Sequence, residues 1–454
     1  MTTLTDSPVG AASYLTDTSG GQASYRIRTL GLPAVSGEED YVRRVVDHPL
    51  TPEAFRALSG GARHLGVTAE FKRVVDYFAT PPAHTPPGFR IALNVEAGGL
   101  LQLDLVRDIS YDADGALRPT NLLFSADSAN PYEIAPAAGL LANLTCNPGI
   151  IYDLFLNNPE ANVGAAFKDR DEVMTEIGRI LGPGCDISVE LNNPFETDFA
   201  KLLDEAERFR EMLSPWRVVI KVPHTGPVNA DNVGQLLTGD KRLNRRWWEP
   251  STVDAFRGHN LALKLHEHGF RVNFTLMFEP HQTQLALQAK PYFINSFVRH
   301  RLLQSTRMRT LIDGYAATKD TSQLISLRDY MIAADYLAGS DTDYDLEECL
   351  RMAEHFVTYR KVRTPEGADG LDSVRHNLRA LRTANLPDTR LIVCSMDGDQ
   401  MYPEIDQLLT SDEFADMSRR VVLTAEPGYL ARFTSSNQVI SYQRRFMNAA
   451  QGQN

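Results

Sequence analysis

Residues 216–223 read WRVVIKVP, a run of β-branched and aromatic residues with a single lysine, Lys221, set inside it. Such residues favour strands. Strand side chains alternate between faces, so Trp216, Val218, Ile220 and Val222 share one face while Arg217, Val219 and Lys221 share the other. Immediately upstream, Phe199, Leu202, Leu203, Ala206, Phe209, Met212 and Leu213 recur at a helical period. A helix that hands over directly to a strand is part of a βα repeat, the unit of a parallel sheet.

Working outward from WRVVIKVP, the same alternation begins at Asn121 and yields eight candidate strands: LLFSAD, LTCN, DISVEL, WRVVIKVP, FRVNFTLMF, YFINSFV, RLIVCSM and VVLTAE. Eight parallel strands close a barrel, so the sequence predicts an α/β fold, a (β/α)8 TIM barrel over 119–445. Two connections are overlong, about 226–255 and about 303–388, and in a barrel both insertions leave from the C-terminal face. The second is helical in pattern, with LRDYMIAADYLAG and LEECLRMAEHFVTY. Residues 1–22, rich in Ser, Thr, Gly and Ala, read as a flexible tail. Residues 23–118 form an N-terminal extension, with a helix opening at Thr51 and Pro52, then extended RIALNV and LLQLDLV. This extension reads as a structural flank or a homodimer contact.

The inward parity collects polar residues that a packed barrel interior discourages. Lys221 faces in; Ser188 and Glu190 oppose Ile187, Val189 and Leu191; Asn273 and Thr275 oppose Val272, Phe274 and Leu276; Asp127 and Asn147 end their strands. An amine desolvated in such a place loses pKa, which would leave Lys221 a neutral nucleophile for a carbonyl. Glu190 could then act as acid and base through a water held by Thr275, Asp127 could accept a hydroxyl proton, and Asn147 and Asn273 could hold substrate hydroxyls. Each residue also has a plainer explanation. Lys221 and Glu190 could be a structural ion pair, and Asp127 and Asn147 could be cap or turn residues. All of these coinciding on one parity is harder to account for.

Bulk properties point the same way. The net charge of −12 disfavours nucleic acid as a partner, no run approaches the ~20 apolar residues of a membrane span, and no secretory leader opens the chain. Cys146, Cys185, Cys349 and Cys394 are scattered, which fits a reducing cytoplasm. No P-loop or GxGxxG appears, so no cofactor is expected. No metal is expected either: His266 and His268 end a helix before Gly269, where histidine caps, and SDTDYDLEE lacks a calcium-loop spacing. Small molecules, sugars or sugar phosphates, are the expected partners.

The stretches FSADSANP, LTCNPGII, DISVEL, VVIKVP, RVNFTLMF followed by Gln282, and YFINSFV resemble, in order from about 121 to 300, the strand-end motifs of the transaldolase family. The resemblance implies a metal-independent class I mechanism. Lys221 would be the Schiff-base lysine, Glu190 the acid/base through water, Asp127 the proton acceptor, and Asn147, Asn273 and Thr275 orienting groups. It implies transfer of a dihydroxyacetone unit from a ketose to an aldehyde or aldose, with simple aldol cleavage, or a noncatalytic barrel kept for binding or assembly, as alternatives. Asn295, Ser296, Arg299 and Arg301 are the substrate-binding candidates that follow the sixth strand. Here the chain departs from the family: aligned on Phe297 and Val298, Asn295 replaces a serine and His300 the phosphate-holding arginine, with Arg299 and Arg301 on either side. CSMDG places Asp397 near a second arginine position. These departures imply an unphosphorylated or modified sugar. In the first insertion, KRLNRRWWEP carries Lys241, Arg242, Arg245 and Arg246 either as a lid or as a basic surface loop over Trp247 and Trp248.

Overall fold

Eight strands of parallel pairing close on themselves in the computed structural model, which describes residues 4–8, 15–16, 23–396 and 398–452. They are β1 (Leu123–Asp127), β2 (Leu141–Cys146), β3 (Asp186–Glu190), β4 (Val218–Pro223), β5 (Arg271–Thr275), β6 (Phe293–Phe297), β7 (Arg390–Cys394) and β8 (Val421–Ala425). Each pairs with the next in sequence, and β8 pairs back with β1 through Val422↔Leu123 and Ala425↔Ala126. Every predicted strand is present. The fourth starts at Val218 instead of Trp216; the Arg217 guanidinium is drawn off the barrel axis to the Leu213 and Gly178 carbonyls.

The barrel is built by ordinary local chemistry. Helix α1 (Arg170–Leu181) precedes β3, and α2 (Phe199–Leu213), capped by the Asp198 carboxylate on the Ala200 amide at 3.0 Å, precedes β4. Its Leu202, Ala206, Phe209 and Leu213 are buried, the apolar stripe read from the sequence. Helix α3 (Thr252–Glu267) opens on Ser251, whose hydroxyl accepts from the Asp254 amide, and closes with His268 Nδ1 against the Lys264 carbonyl at 2.8 Å. After β5 comes α4 (Gln282–Gln288).

The insertion after β6 is a helical layer with its own core: α5 (Val298–Thr318), α6 (Thr321–Ala333) and α7 (Leu346–Tyr359) bury Met308, Leu327, Met331, Cys349 and Ala353 together. Helix α8 (Asp372–Thr383) then returns the chain to β7. In the first insertion, Arg242 bonds the Ile332 and Ala333 carbonyls and Asp335, Arg246 grips Asp341 through two 2.9 Å bonds, and Arg245 lies 3.9 Å from Asp254. Its arginines are therefore tied to neighbouring structure, which leaves them unlike a free lid.

The chain divides into two units, one of Thr120–Leu181 with Asp186–Asn454 that holds the barrel, the other of Met1–Pro119 with Gly182–Cys185. The second unit carries a five-stranded sheet whose central strands, Pro33–Val35, His64–Val67 and Leu100–Arg107, are parallel neighbours, with Phe89–Val95 antiparallel at one edge. Phe71, Val74, Leu101 and Leu103 fill its core, and Thr51 and Pro52 open a helix as expected. Within the span read as a tail, Leu4–Pro8 pairs with Pro33–Val35 and Leu15–Thr16 with Ala23–Arg26. The rest of that span lies outside the described residues.

Candidate active site

The barrel interior is layered. At its lower level the Asn143 amide joins neighbouring strands, donating to Ser125 Oγ at 2.9 Å and accepting from Ser188 Oγ at 3.1 Å, all three fully buried. This hydrogen-bonded floor accounts for Ser188 and closes the barrel below the C-terminal mouth. One inward step up each strand, the register sets Glu190 beside Lys221 and Lys221 beside Asn273. Lys221 Nζ lies 3.5 Å from Glu190 Oε2.

Above them is a cavity of about 110 Å3. Lys221, Asp127, Asn147, Thr275, Asn295 and Arg299 line it, so six of the ten residues singled out from the sequence converge there. Two others support it from behind: Glu190 through its contact with Lys221, and Asn273 through Asn295, whose Nδ2 donates to Asn273 Oδ1 at 2.6 Å and to the Phe274 carbonyl at 2.8 Å. That contact fixes which way the Asn273 amide faces. Its own Nδ2 is buried with no hydrogen-bond partner among the described residues. Asn147 accepts from the Ile150 amide at 3.0 Å, so it is both a turn cap and a cavity residue, and its Nδ2 is the group left for a ligand.

The remaining two do not reach the cavity. Ser296 follows Asn295 on the strand and so faces outward, where its Oγ accepts from Asn377 at 2.8 Å. Arg301, one turn into α5, is 1% exposed and clamped by Glu279 at 3.0 Å and Asp372 at 2.5 Å. Its guanidinium is consumed in a buried ion network, which removes it from substrate binding. Half-buried Arg299 is the cation of this segment that lines the cavity, while His300, in the register of the family's arginine, is exposed beside the Phe278 ring. Asp397 lies outside the described residues.

The sequence reading missed Thr145, Cys394, Ser395, Thr424, Glu426 and Tyr429 on the cavity wall. Thr424 and Glu426 carried a usable signal: they sit two apart at the end of VVLTAE, on the parity that picked out Asn273 and Thr275. Thr424 Oγ1 is buried without a hydrogen-bond partner among the described residues.

The electrostatics correct one expectation. Burial alone would lower the Lys221 pKa, but the charges of Glu190 and Asp127 outweigh it and hold the amine above the ordinary lysine value. The partner that moves into the physiological range is Asp127, pushed up to about 6 by burial, with Glu426 and Glu190 adding to the rise and Lys221 opposing it. Burial raises the thiols of Cys146 and Cys394, which leaves both protonated and inert.

A closed parallel barrel whose C-terminal mouth holds a buried lysine among carboxylates and amides defines a (β/α)8 barrel built for chemistry on a small polar molecule. Residues 124–340 match the family model described as transaldolase/fructose-6-phosphate aldolase, a match over just under half of the chain that is consistent with a divergent member of that family. No curated protein matches the chain. The match supports an activity of the aldolase or transaldolase type in general. Among the described residues no helix is long and apolar enough to cross a membrane.

Proposed function

We propose that the barrel forms a Schiff base between Lys221 and a ketose, cleaves the bond between the α- and β-carbons, and transfers the ketol unit to an aldehyde acceptor. The observation that carries this reading is the placement of Lys221 Nζ, 3.5 Å from one carboxylate and on the wall of a cavity shared with a second, Asp127.

The raised Lys221 pKa makes proton removal the first requirement. Glu190, at 3.5 Å, takes that proton as the ketose enters, and the neutral amine adds to the carbonyl. Loss of water from the carbinolamine gives the iminium ion, with the proton for the departing hydroxide supplied through a water between Glu190 and Thr275. Asp127 then takes the proton of the hydroxyl on the far, β-carbon of the bond to be broken. That oxygen becomes the carbonyl of the leaving aldehyde, and the electrons of the broken bond move into the iminium, giving an enamine. Addition of the enamine to an acceptor aldehyde restores the iminium, and hydrolysis frees Lys221. None of these steps requires a metal ion or cofactor, and a cytoplasmic setting suits a chain with four free thiols.

The donor is read as a ketose without phosphate. Arg299 shares the cavity wall with the carboxylates of Glu426 and Asp127, and Arg301 is withdrawn into its own ion network. A phosphate dianion would face carboxylates there, whereas hydroxyls would meet the Asn147 amide and the Thr275 and Thr424 hydroxyls.

The test is borohydride trapping of intact protein with free fructose, dihydroxyacetone and fructose 6-phosphate, read by mass and then by the modified peptide. Expected is a reduced adduct on Lys221 with the unphosphorylated ketoses, absent from Lys221→Ala. No adduct with any ketose sinks the Schiff-base reading. Preferential labelling by fructose 6-phosphate overturns the choice of donor, and release of aldehyde without need of an acceptor would make the enzyme a lyase.

A further inference from the structure

The two insertions build a second cavity in the barrel unit, distinct in chemistry from the first. It measures about 240 Å3 and is lined by Trp247 and Trp248 from the insertion after β4, His281 from the loop after β5, and Met352, His355, Phe356 and Tyr359 from α7. On α7 the spacing 352, 355, 356, 359 is one helical stripe, so a single face is turned to this space. The rings are arranged as walls. Trp247 and Trp248 meet edge to face at 88°, Trp247 lies 6.2 Å from Phe356, and His355 stacks parallel to Tyr359 at 6.1 Å.

These rings are not buried in one another. Trp247 is 41% exposed, and Trp248 and Tyr359 are each 37% exposed. Large aromatic surface left facing solvent around a concavity marks a binding site more often than a folding core.

We propose that this cavity binds a neutral aromatic ring on a small molecule, the arm of the aldehyde acceptor. Size agrees: an apolar cavity of ~150 Å3 holds a benzene molecule, so 240 Å3 takes one substituted ring or a fused pair. Charge agrees as well: no carboxylate, lysine or arginine lines the space, whose ionisable side chains are His281, His355 and the Tyr359 phenol. Arg246, over the Trp248 ring at 5.6 Å, is already paired with Asp341, so its guanidinium is not free to recruit an anion there. A sugar would need several hydrogen bonds for its hydroxyls, and this lining offers few polar atoms. Location makes the ring an arm of the substrate: the short segment after β5 runs from Thr275, on the wall of the first cavity, to His281, on the wall of the second.

Trp247 and Trp248 are two of the three tryptophans in the chain, so intrinsic emission reports on the cavity directly. The full chain is titrated with 3-phenylpropan-1-ol, which carries the ring but no reactive carbonyl, and in parallel with propan-1-ol. Expected is a saturable change with the phenyl alcohol alone, weakened roughly tenfold in Tyr359→Ala, which loses one aromatic wall and keeps both indoles. His355→Ala, at an exposed helix position, is expected to weaken binding in the same way and replaces Tyr359→Ala if that variant misfolds. Three results overturn the proposal: a response that does not saturate, an equal response to propan-1-ol, or binding unchanged in both variants. An emission shift that follows protein concentration without ligand and vanishes in Tyr359→Ala would also overturn it, by assigning the rings to a second copy of the chain.

The acceptor role rests on the Schiff-base reading, while binding of the alcohol does not, so Lys221→Ala is expected to bind it as the native chain does. Binding with no borohydride adduct on the native protein removes the acceptor role and keeps a ring site. An adduct without binding removes the ring site and keeps the Schiff base.

Discussion

Two clusters of buried charge in the barrel unit are made from the same kinds of side chain and do opposite things. Beneath the helical insertion, Glu279 bonds both Arg301 and Arg360, Asp372 takes the other side of Arg301, and Arg360 also meets Tyr336 and Ser305. Burial would raise Glu279, but Arg360 and Arg301 outweigh it and keep its carboxyl below the ordinary range. At the barrel mouth, Lys221 has Glu190 at 3.5 Å, Asp127 sits near 6, and Asn273 Nδ2 and Thr424 Oγ1 lack partners. Charges that are fully paired hold helices in place. Charges left short of partners around a cavity are available to a ligand.

The sharpest way to break this comparison is to remove the central charge of each cluster. Lys221→Ala deletes the nucleophile and is expected to lower turnover on the order of 10^4-fold or more while leaving the melting temperature near that of the native protein. Glu279→Gln strands the buried Arg360 guanidinium and leaves Arg301 with Asp372 alone. It is expected to cost about 3 to 5 kcal/mol of stability by thermal or urea unfolding, with the trapped adduct on Lys221 still formed at low temperature. A Glu279→Gln protein as stable as the native one would mean that the network is ornamental.

pH separates the clusters without mutation. Asp127 must be ionised to accept a proton, and with its pKa near 6 the fraction able to do so falls as pH drops through 6, so kcat/KM is expected to fall about tenfold per unit below that point. Glu279 has a depressed pKa, so its stabilising charge is complete above the ordinary glutamate value and is lost only as pH falls through the lower folded value. Between pH 7 and 5 activity should decline while the melting temperature does not fall, because proton uptake by Asp127, raised in the folded chain, favours the folded state in that window. A parallel decline of both would place the acid limb in unfolding.

The same contrast explains what the sequence made legible. Strand parity is local, so WRVVIKVP, DISVEL and FRVNFTLMF were enough to turn Lys221, Glu190, Asn273 and Thr275 to one side, and eight such runs closed the barrel. Parity also shows after the fact why Ser296 fails as a site residue beside Asn295, and it would have found Thr424 and Glu426. The fate of Arg301 was not legible. It depends on Glu279 and Asp372, 22 and 71 residues away in sequence, and nothing local announces an ion partner brought in by folding. The Lys221 pKa depends likewise on Asp127, a neighbour only once the barrel is closed.

The finest test lies between Arg299 and Arg301, two residues apart at the start of one helix. Arg299 lines the cavity; Arg301 is locked below the insertion. Arg299→Ala removes no buried ion pair, so it is expected to change stability by less than about 0.5 kcal/mol. Its effect belongs to the substrate. With a neutral ketose, kcat/KM should hold, because hydroxyls are met by the amides. With a phosphorylated ketose, any residual activity should show a KM raised roughly tenfold, the loss of one charge-assisted contact. Arg301→Ala should show the reverse pattern, an unstable protein whose folded fraction keeps its KM for either sugar. If Arg299→Ala instead abolishes an efficient native activity on the phosphorylated donor, Arg299 has taken over the role of the missing arginine at His300, and the carboxylates of Glu426 and Asp127 do not exclude phosphate after all.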